Sequence, residues 1–188
     1  MQPLNQDRQS AFAHERRINV IQGTTYVTDD PQVVLTTVLG SCVACCLFDP
    51  FAKVGGMNHF LLSEPRAGMV RDSAEAERYG LYAMELLVND MLKHGATRGR
   101  MRAHLYGGAN LHSGMQAIGT SNAAFARKFL DDDGIQLSHS HLGGVSARRV
   151  DFRAALGQAR CRVVESEVPV EVRRPAIAPA KLGEVELF

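Results

Sequence analysis

Between residues 18 and 62 the chain carries four short runs of apolar and β-branched residues, INVIQ, QVVLTTV, VACCLF and MNHFLL. Turn signals such as DDP and DPFAKVGG separate them. Runs of this length and content predict strands, because β-branched side chains fit a pleated sheet and lose rotamer freedom on a helix.

From Asp72 or Ser73 to His94 the period changes, with Leu81, Met84, Leu87, Val88, Met91 and Leu92 at helical spacing and Gly95 placed to stop the helix. MRAHLY then reads as a strand entering Gly107-Gly108. Ser121 is placed to cap a second helix whose apolar stripe is Ala124, Phe125, Phe129 and Leu130, ending before Gly134. ARRVDFR and ARCRVVESEV give two more strands. Strands in both halves with two helices between them predict an α+β layered domain with mostly antiparallel strands, not a regularly alternating parallel sheet.

One domain is expected over residues 18–170, with a flexible N-terminal extension at 1–17 and a mobile C-terminal tail at 171–188. A net charge of +1 with scattered Lys and Arg gives no basic stripe, so nucleic acid is not an expected partner. No apolar run reaches the roughly 18 to 20 residues of a membrane helix, and MQPLNQDRQSAFAHERR lacks the apolar stretch of a signal peptide. The expected location is the cytoplasm, where clustered cysteines serve as thiols, metal ligands or nucleophiles more often than as disulfides.

Three of the four cysteines fall in GSCVACC, residues 40–46. Cys42 and Cys45 have C-x-x-C spacing, but no second ligand pair accompanies them, so zinc is not expected. If VACCLF is a strand, Cys42 and Cys45 point to opposite faces and a redox disulfide is awkward. Cys45, Cys46 and Cys161 read as core. Cys42 differs because it follows Gly40-Ser41 at a strand entry, a place suited to a nucleophile beside backbone oxyanion donors. His59 is the nearest downstream base, yet an isolated histidine on a strand is often a surface or packed residue, so spacing alone leaves the pairing open.

The segment TTVLGSCVACCLFDPFAKVGGMNHFLL resembles the signature of the CheD family, the chemoreceptor glutamine deamidases of bacterial chemotaxis, through Thr36, Cys42, Asp49-Pro50 and Gly55-Gly56-Met57-Asn58-His59. The likeness runs from about Ile18 to Val164 and includes Tyr106-Gly107-Gly108-Ala109-Asn110, Ile118-Gly119 with Asn122, and Gly143-Gly144 with Arg148. It departs at His141, where an acidic residue is usual, and at Thr120-Ser121.

The resemblance implies a single-domain α/β/β sandwich with two main helices on one side. It also implies hydrolysis of receptor glutamine side chains to glutamate, with release of ammonia, by a Cys42–His59 pair through a thioester. Thr36 matches the third site residue, its hydroxyl expected to orient His59, while the backbone at Gly40 and Ser41 supports the oxyanion. Gly55, Gly56, Asn58, Gly107, Gly108, Gly143, Gly144 and Arg148 are expected to line an open substrate groove. The implied partners are the helical cytoplasmic domains of methyl-accepting receptors and a CheC-type phosphatase, with no cofactor or metal. Two other readings share these residues: a regulatory partner of that phosphatase, or a cysteine hydrolase of another amide.

Overall fold

The computed structural model describes residues 15–62, 73–111 and 118–164. Among these described residues the nine strands are β1 Arg16–Asn19, β2 Thr25–Thr28, β3 Val33–Leu39, β4 Val43–Asp49, β5 Val54–Phe60, β6 Arg102–Gly107, β7 Gln136–Leu142, β8 Arg148–Arg153 and β9 Gln158–Val163. The helices are α1 Ser73–Lys93 and α2 Ile118–Asp132. A four-stranded sheet runs β1-β3-β8-β9 and a five-stranded sheet runs β2-β5-β4-β6-β7. Only β1/β3 and β6/β7 pair in parallel among these strands.

Both helices pack on the five-stranded sheet, so the layers are helices, five-stranded sheet, four-stranded sheet, as expected for an α/β/β sandwich. Two cores result. One joins Val43, Cys45, Leu47 and Phe60 to Met84, Leu87, Val88 and Met91 of α1; the other joins Ala44, Cys46 and Met57 to Leu35, Leu39, Val150 and Phe152 of the four-stranded sheet. A central strand with both faces covered explains why VACCL is apolar at every position.

Each helix ends on a glycine at positive φ, Gly95 and Gly134. After α1, Gly95 N–H donates to Leu92 and Ala96 N–H to Met91; after α2, Gly134 donates to Asp131 and Ile135 to Leu130. These are paired bonds of the Schellman kind, which satisfy the last carbonyls.

The elements depart from expectation in places. Leu81 and Leu92 are exposed, so the stripe of α1 is narrower than its spacing suggests. Helix α2 starts at Ile118 and buries Asn122, Ala123, Ala126, Phe129 and Leu130, which leaves Ala124 outside and Ser121 within the helix. Strands β2 and β7 were not expected, and β1 starts at Arg16, within the span read as an extension. The expected tail, and most of the expected extension, lie outside the described residues, as does the end of ARCRVVESEV. Among the described residues, no helix is long and apolar enough to cross a membrane.

Candidate active site

Cys42 sits in the turn from β3 to β4, and three consecutive carbonyls of that turn are pinned. Gly40 C=O accepts from Ala109 N–H at 2.9 Å, and Cys42 C=O from Gly108 N–H at 2.7 Å. Ser41 C=O accepts from the Asn122 side-chain amide at 2.8 Å. Gly107 makes this approach possible: it adopts φ +110, and a Cβ there would lie 2.1 Å from the Cys42 oxygen. The amide of the fully buried Asn122 also accepts from Leu62 N–H at 2.9 Å, which ties the exit of β5 to the cysteine turn through α2.

His59 stands on β5 opposite Ala44 of β4. Alternation then puts Cys42, two positions before Ala44, on the same face as His59, diagonally across the strand pair. Diagonal neighbours lie about 7–8 Å apart, their Cβ atoms somewhat closer, within reach of long or aromatic side chains. Cys42 packs against the core between the sheets, and the imidazole meets β3 across the same space. Cys45 belongs to the opposite, helix-facing core, so the C-x-x-C pair straddles the strand. None of the four cysteines is in a disulfide, and no group of metal-binding side chains occurs among the described residues.

The imidazole is 7% exposed and its Nδ1 lies 2.9 Å from Thr37 Oγ1 and 3.2 Å from the Val20 carbonyl. Thr37 in turn donates its hydroxyl proton to Val20 C=O at 2.8 Å. With that proton committed, the Thr37 oxygen is an acceptor and Val20 C=O can only accept, so the network assigns the imidazole proton to Nδ1. Nε2 therefore carries the lone pair; it is buried and has no hydrogen-bond partner among the described residues. Burial holds the His59 pKa below the ordinary 6.5, against an upward pull from Val20 C=O, so the neutral base is favoured. Backbone bonds from Gly23 N–H to His59 C=O at 2.7 Å and from His59 N–H to Thr24 C=O at 3.1 Å fix the ring from the other side.

The threonine on the imidazole is thus Thr37, and the role expected of Thr36 is corrected. Thr36 donates to Asp151 at 2.8 Å, in a cluster where Asp151 also takes Arg17 at 2.9 Å and Arg162 at 3.4 Å. Alternation explains the difference: Leu35 and Leu39 face the core between the sheets, Thr37 shares their face, and Thr36 has the other.

The expected groove residues divide into two groups. Gly55 and Gly56 are buried within β5, where a Cβ on Gly55 would lie 2.1 Å from Ala154 O and one on Gly56 2.6 Å from the Val27 side chain. Asn58 is buried too, accepting from Cys45 N–H and donating to Ala83 C=O. These three are packing residues and line no groove. Gly107, Gly108 and Gly143 do gather beside the Cys42 turn, with Gly143 N–H donating to Gly107 C=O at 3.0 Å and Gly144 C=O accepting from Asn110 N–H at 2.9 Å. Arg148 is 3% exposed and binds the carbonyls of Gly107, His141 and Gly143, so it is a clamp on these turns, not a groove wall. Cys161, expected in the core, is half-buried against His141 Nδ1 at 3.3 Å.

Two residues of the site escaped the sequence reading, and Asn122 entered it only as part of the resemblance. Thr37 carried a signal, as a polar residue inside an apolar run. Gln22 carried none: its side chain lies on the loop after β1, and its Oε1 accepts from Cys42 Sγ–H at 3.4 Å.

A scan of protein families matches residues 61–163, more than half of the chain, to the family described as "CheD chemotactic sensory transduction". A relative from Zymomonas mobilis, named "Probable chemoreceptor glutamine deamidase CheD", is 55% identical over 92% of this chain and 93% of its own length. The chain belongs to the CheD family. CheD proteins of the same name from Caulobacter sp. and Rhizobium meliloti are 53% and 43% identical, each over 92% of this chain and over 93% and 96% of their own. The CheD family match begins just past His59, but alignments spanning 92% of the chain contain both Cys42 and His59. Among solved structures, a Neisseria meningitidis protein of the DUF152 family is similar at 14% identity and a TM-score of 0.41, over 74% of this chain and 66% of that one.

Proposed function

We propose that this CheD chain is a protein-glutamine deamidase of the cytoplasm, converting glutamine side chains on the helical signalling domains of chemoreceptors to glutamate. The observation that carries the reading is the state of His59. Its Nδ1 proton is held by Thr37 and Val20, which leaves a bare Nε2 on the strand face it shares with Cys42. The names of the close relatives supply the substrate class.

In this mechanism rotation of the thiol moves it from Gln22 toward Nε2, which takes the proton. The thiolate attacks the glutamine carboxamide carbon, and the charge that develops on oxygen is met by backbone N–H groups of the Gly40–Ser41–Cys42 turn. The pinned carbonyls of that turn keep its amides in place without reorganisation. The imidazolium then protonates the amide nitrogen, ammonia leaves, and a thioester remains. Water, deprotonated by the same Nε2, hydrolyses it to glutamate.

Mass spectrometry of receptor cytoplasmic fragments incubated with the purified chain tests this. Wild type should convert defined glutamines to glutamates, and Cys42→Ala or His59→Ala should convert none while folding normally. Conversion by Cys42→Ala at the wild-type rate would reject the reading.

A further inference from the structure

Gln22 takes no part in the chemistry above, yet it touches the nucleophile. Its Oε1 accepts the Cys42 thiol proton at 3.4 Å. The loop bearing it is built into the site. Val20 C=O receives the bonds that fix the His59 tautomer, while Gly23 and Thr24 pair with the His59 backbone. Thr24 also returns both its N–H and its hydroxyl to Ile21 C=O, closing a tight turn around Gln22. The backbone that orients the base therefore also fixes where the Gln22 side chain starts, although the side chain itself is exposed and has room to turn.

We propose that Gln22 is a catalytic residue whose carboxamide accepts from the Cys42 thiol at rest and donates to the sulfur anion and then to the substrate oxyanion during the reaction. This rests on the deamidase reading of Cys42 and His59. A carboxamide is suited to such a reversal because one planar end holds an acceptor and two N–H donors, exchanged by rotation about χ3. While sulfur bears its proton, the carbonyl oxygen is the complementary partner. Once the proton has passed to His59 Nε2, a thiolate repels Oε1 and attracts the NH2 group, so the amide turns over. The bond formed next is between sulfur and the substrate carbon, and the C=O electron pair moves to oxygen. That oxygen lies one bond beyond the carbon the sulfur has attacked, within reach of a donor already in contact with the sulfur. Gln22 neither gains nor loses a proton through the cycle. The imidazolium Nε2–H also faces the sulfur, but that proton is spent on the departing nitrogen, and the Nδ1–H stays on Thr37 and Val20, so neither is left to hold the oxyanion as ammonia leaves.

Two measurements on the full chain test the proposal. The first is the pH dependence of iodoacetamide alkylation at Cys42, read by peptide mapping so that the other thiols do not contribute. Gln22→Ala should move the midpoint to higher pH, and the near-isosteric Gln22→Glu should move it further, because a carboxylate repels a thiolate. The second is turnover of receptor fragments. Gln22→Ala should lower kcat about a hundredfold, on the scale of losing one oxyanion donor, with KM within about twofold, and Gln22→Glu should lower it more. Faster turnover by Gln22→Ala would make Gln22 a plug and overturn the proposal. Equal losses in both variants with an unmoved alkylation profile would reduce it to a structural residue and do the same. If wild type leaves receptor glutamines intact while the alkylation midpoints still shift, the deamidase reading fails and the hold of Gln22 on the thiolate stands.

Discussion

A hydroxyl is a weak orienter of histidine, and at Thr37 the weakness is offset by relaying the hydroxyl proton to a backbone carbonyl that cannot itself donate. Thr37→Val keeps the shape but removes the acceptor nearest Nδ1, leaving that nitrogen, among the described residues, only Val20 C=O at 3.2 Å. One net hydrogen bond of about 1 kcal/mol sets the scale, so kcat should fall about fivefold to tenfold in steady-state assays. Thr36→Val should leave kcat unchanged, because its hydroxyl serves Asp151 on the other face of β3; an equal loss in both variants would undo the assignment. The protonation state of His59 gives a second prediction. Its folded pKa lies below the 6.5 of an ordinary histidine because burial disfavours the charge. Between the two values the unfolded chain binds a proton that the folded chain does not, so this contribution to stability is complete above 6.5 and is lost as pH falls through the folded value. The free base follows the same course, and a pH profile of kcat/KM should place its acid limb below 6.5. A limb above that value would mean that something other than this buried imidazole is titrating.

Strand β4 has two ends with separate duties. At one, the chain turns through Cys42; at the other, Asp49 binds the N–H groups of Phe51, Ala52 and Thr97 and the Arg100 side chain. Burial alone would raise the Asp49 pKa, but these donors outweigh it and hold it below 3.8, so its stabilising effect is present above 3.8 and lost as pH falls through the folded value. Asp49→Ala leaves three backbone donors without their acceptor and should cost about 3 kcal/mol in urea unfolding. Seven residues of strand put that change about 20 Å from the thiol, so kcat of the folded enzyme should not move. The same strand shows what was legible beforehand. VACCLF is readable because both its faces are covered, and β7, QLSHSHL, is not, because it is an edge strand with an exposed, polar pattern. VVLTTVL was readable as a strand but not in phase: Val33, Val34 and Leu35 are all buried, so the run shows no face from which to choose between Thr36 and Thr37. Gly55 and Gly56 read as a turn, while the fold uses them for close approach between layers. Cys42 and His59 could be named from the resemblance, but the contact of Gln22 with the thiol follows only once β1, β2 and β5 are assembled.

At the scale of the whole molecule, the thiol lies at one end of the sandwich, where loops from both sheets meet, and several of those loops present apolar side chains to solvent. Ile21, beside Gln22, is 58% exposed; Leu111, which packs on Gly40, 43%; and Val145, beside Gly144, 76%. Free glutamine has nothing to place against such side chains. A helix with apolar residues one turn before and after its glutamine does, since residues three and four apart share a face. Burying a valine side chain is worth about 1.5 kcal/mol, and reversing it with a charge should cost at least that much. Val145→Asp should therefore raise KM for a receptor fragment about tenfold or more, while kcat and the alkylation of Cys42 stay at wild-type values. Val145 is the better probe than Leu111, because Leu111 also supports the cysteine turn and a substitution there would disturb the nucleophile directly. Wild-type KM in Val145→Asp would move the substrate helix to another face, whereas hydrolysis of free glutamine at a rate near that of receptor fragments would show that the rim selects nothing.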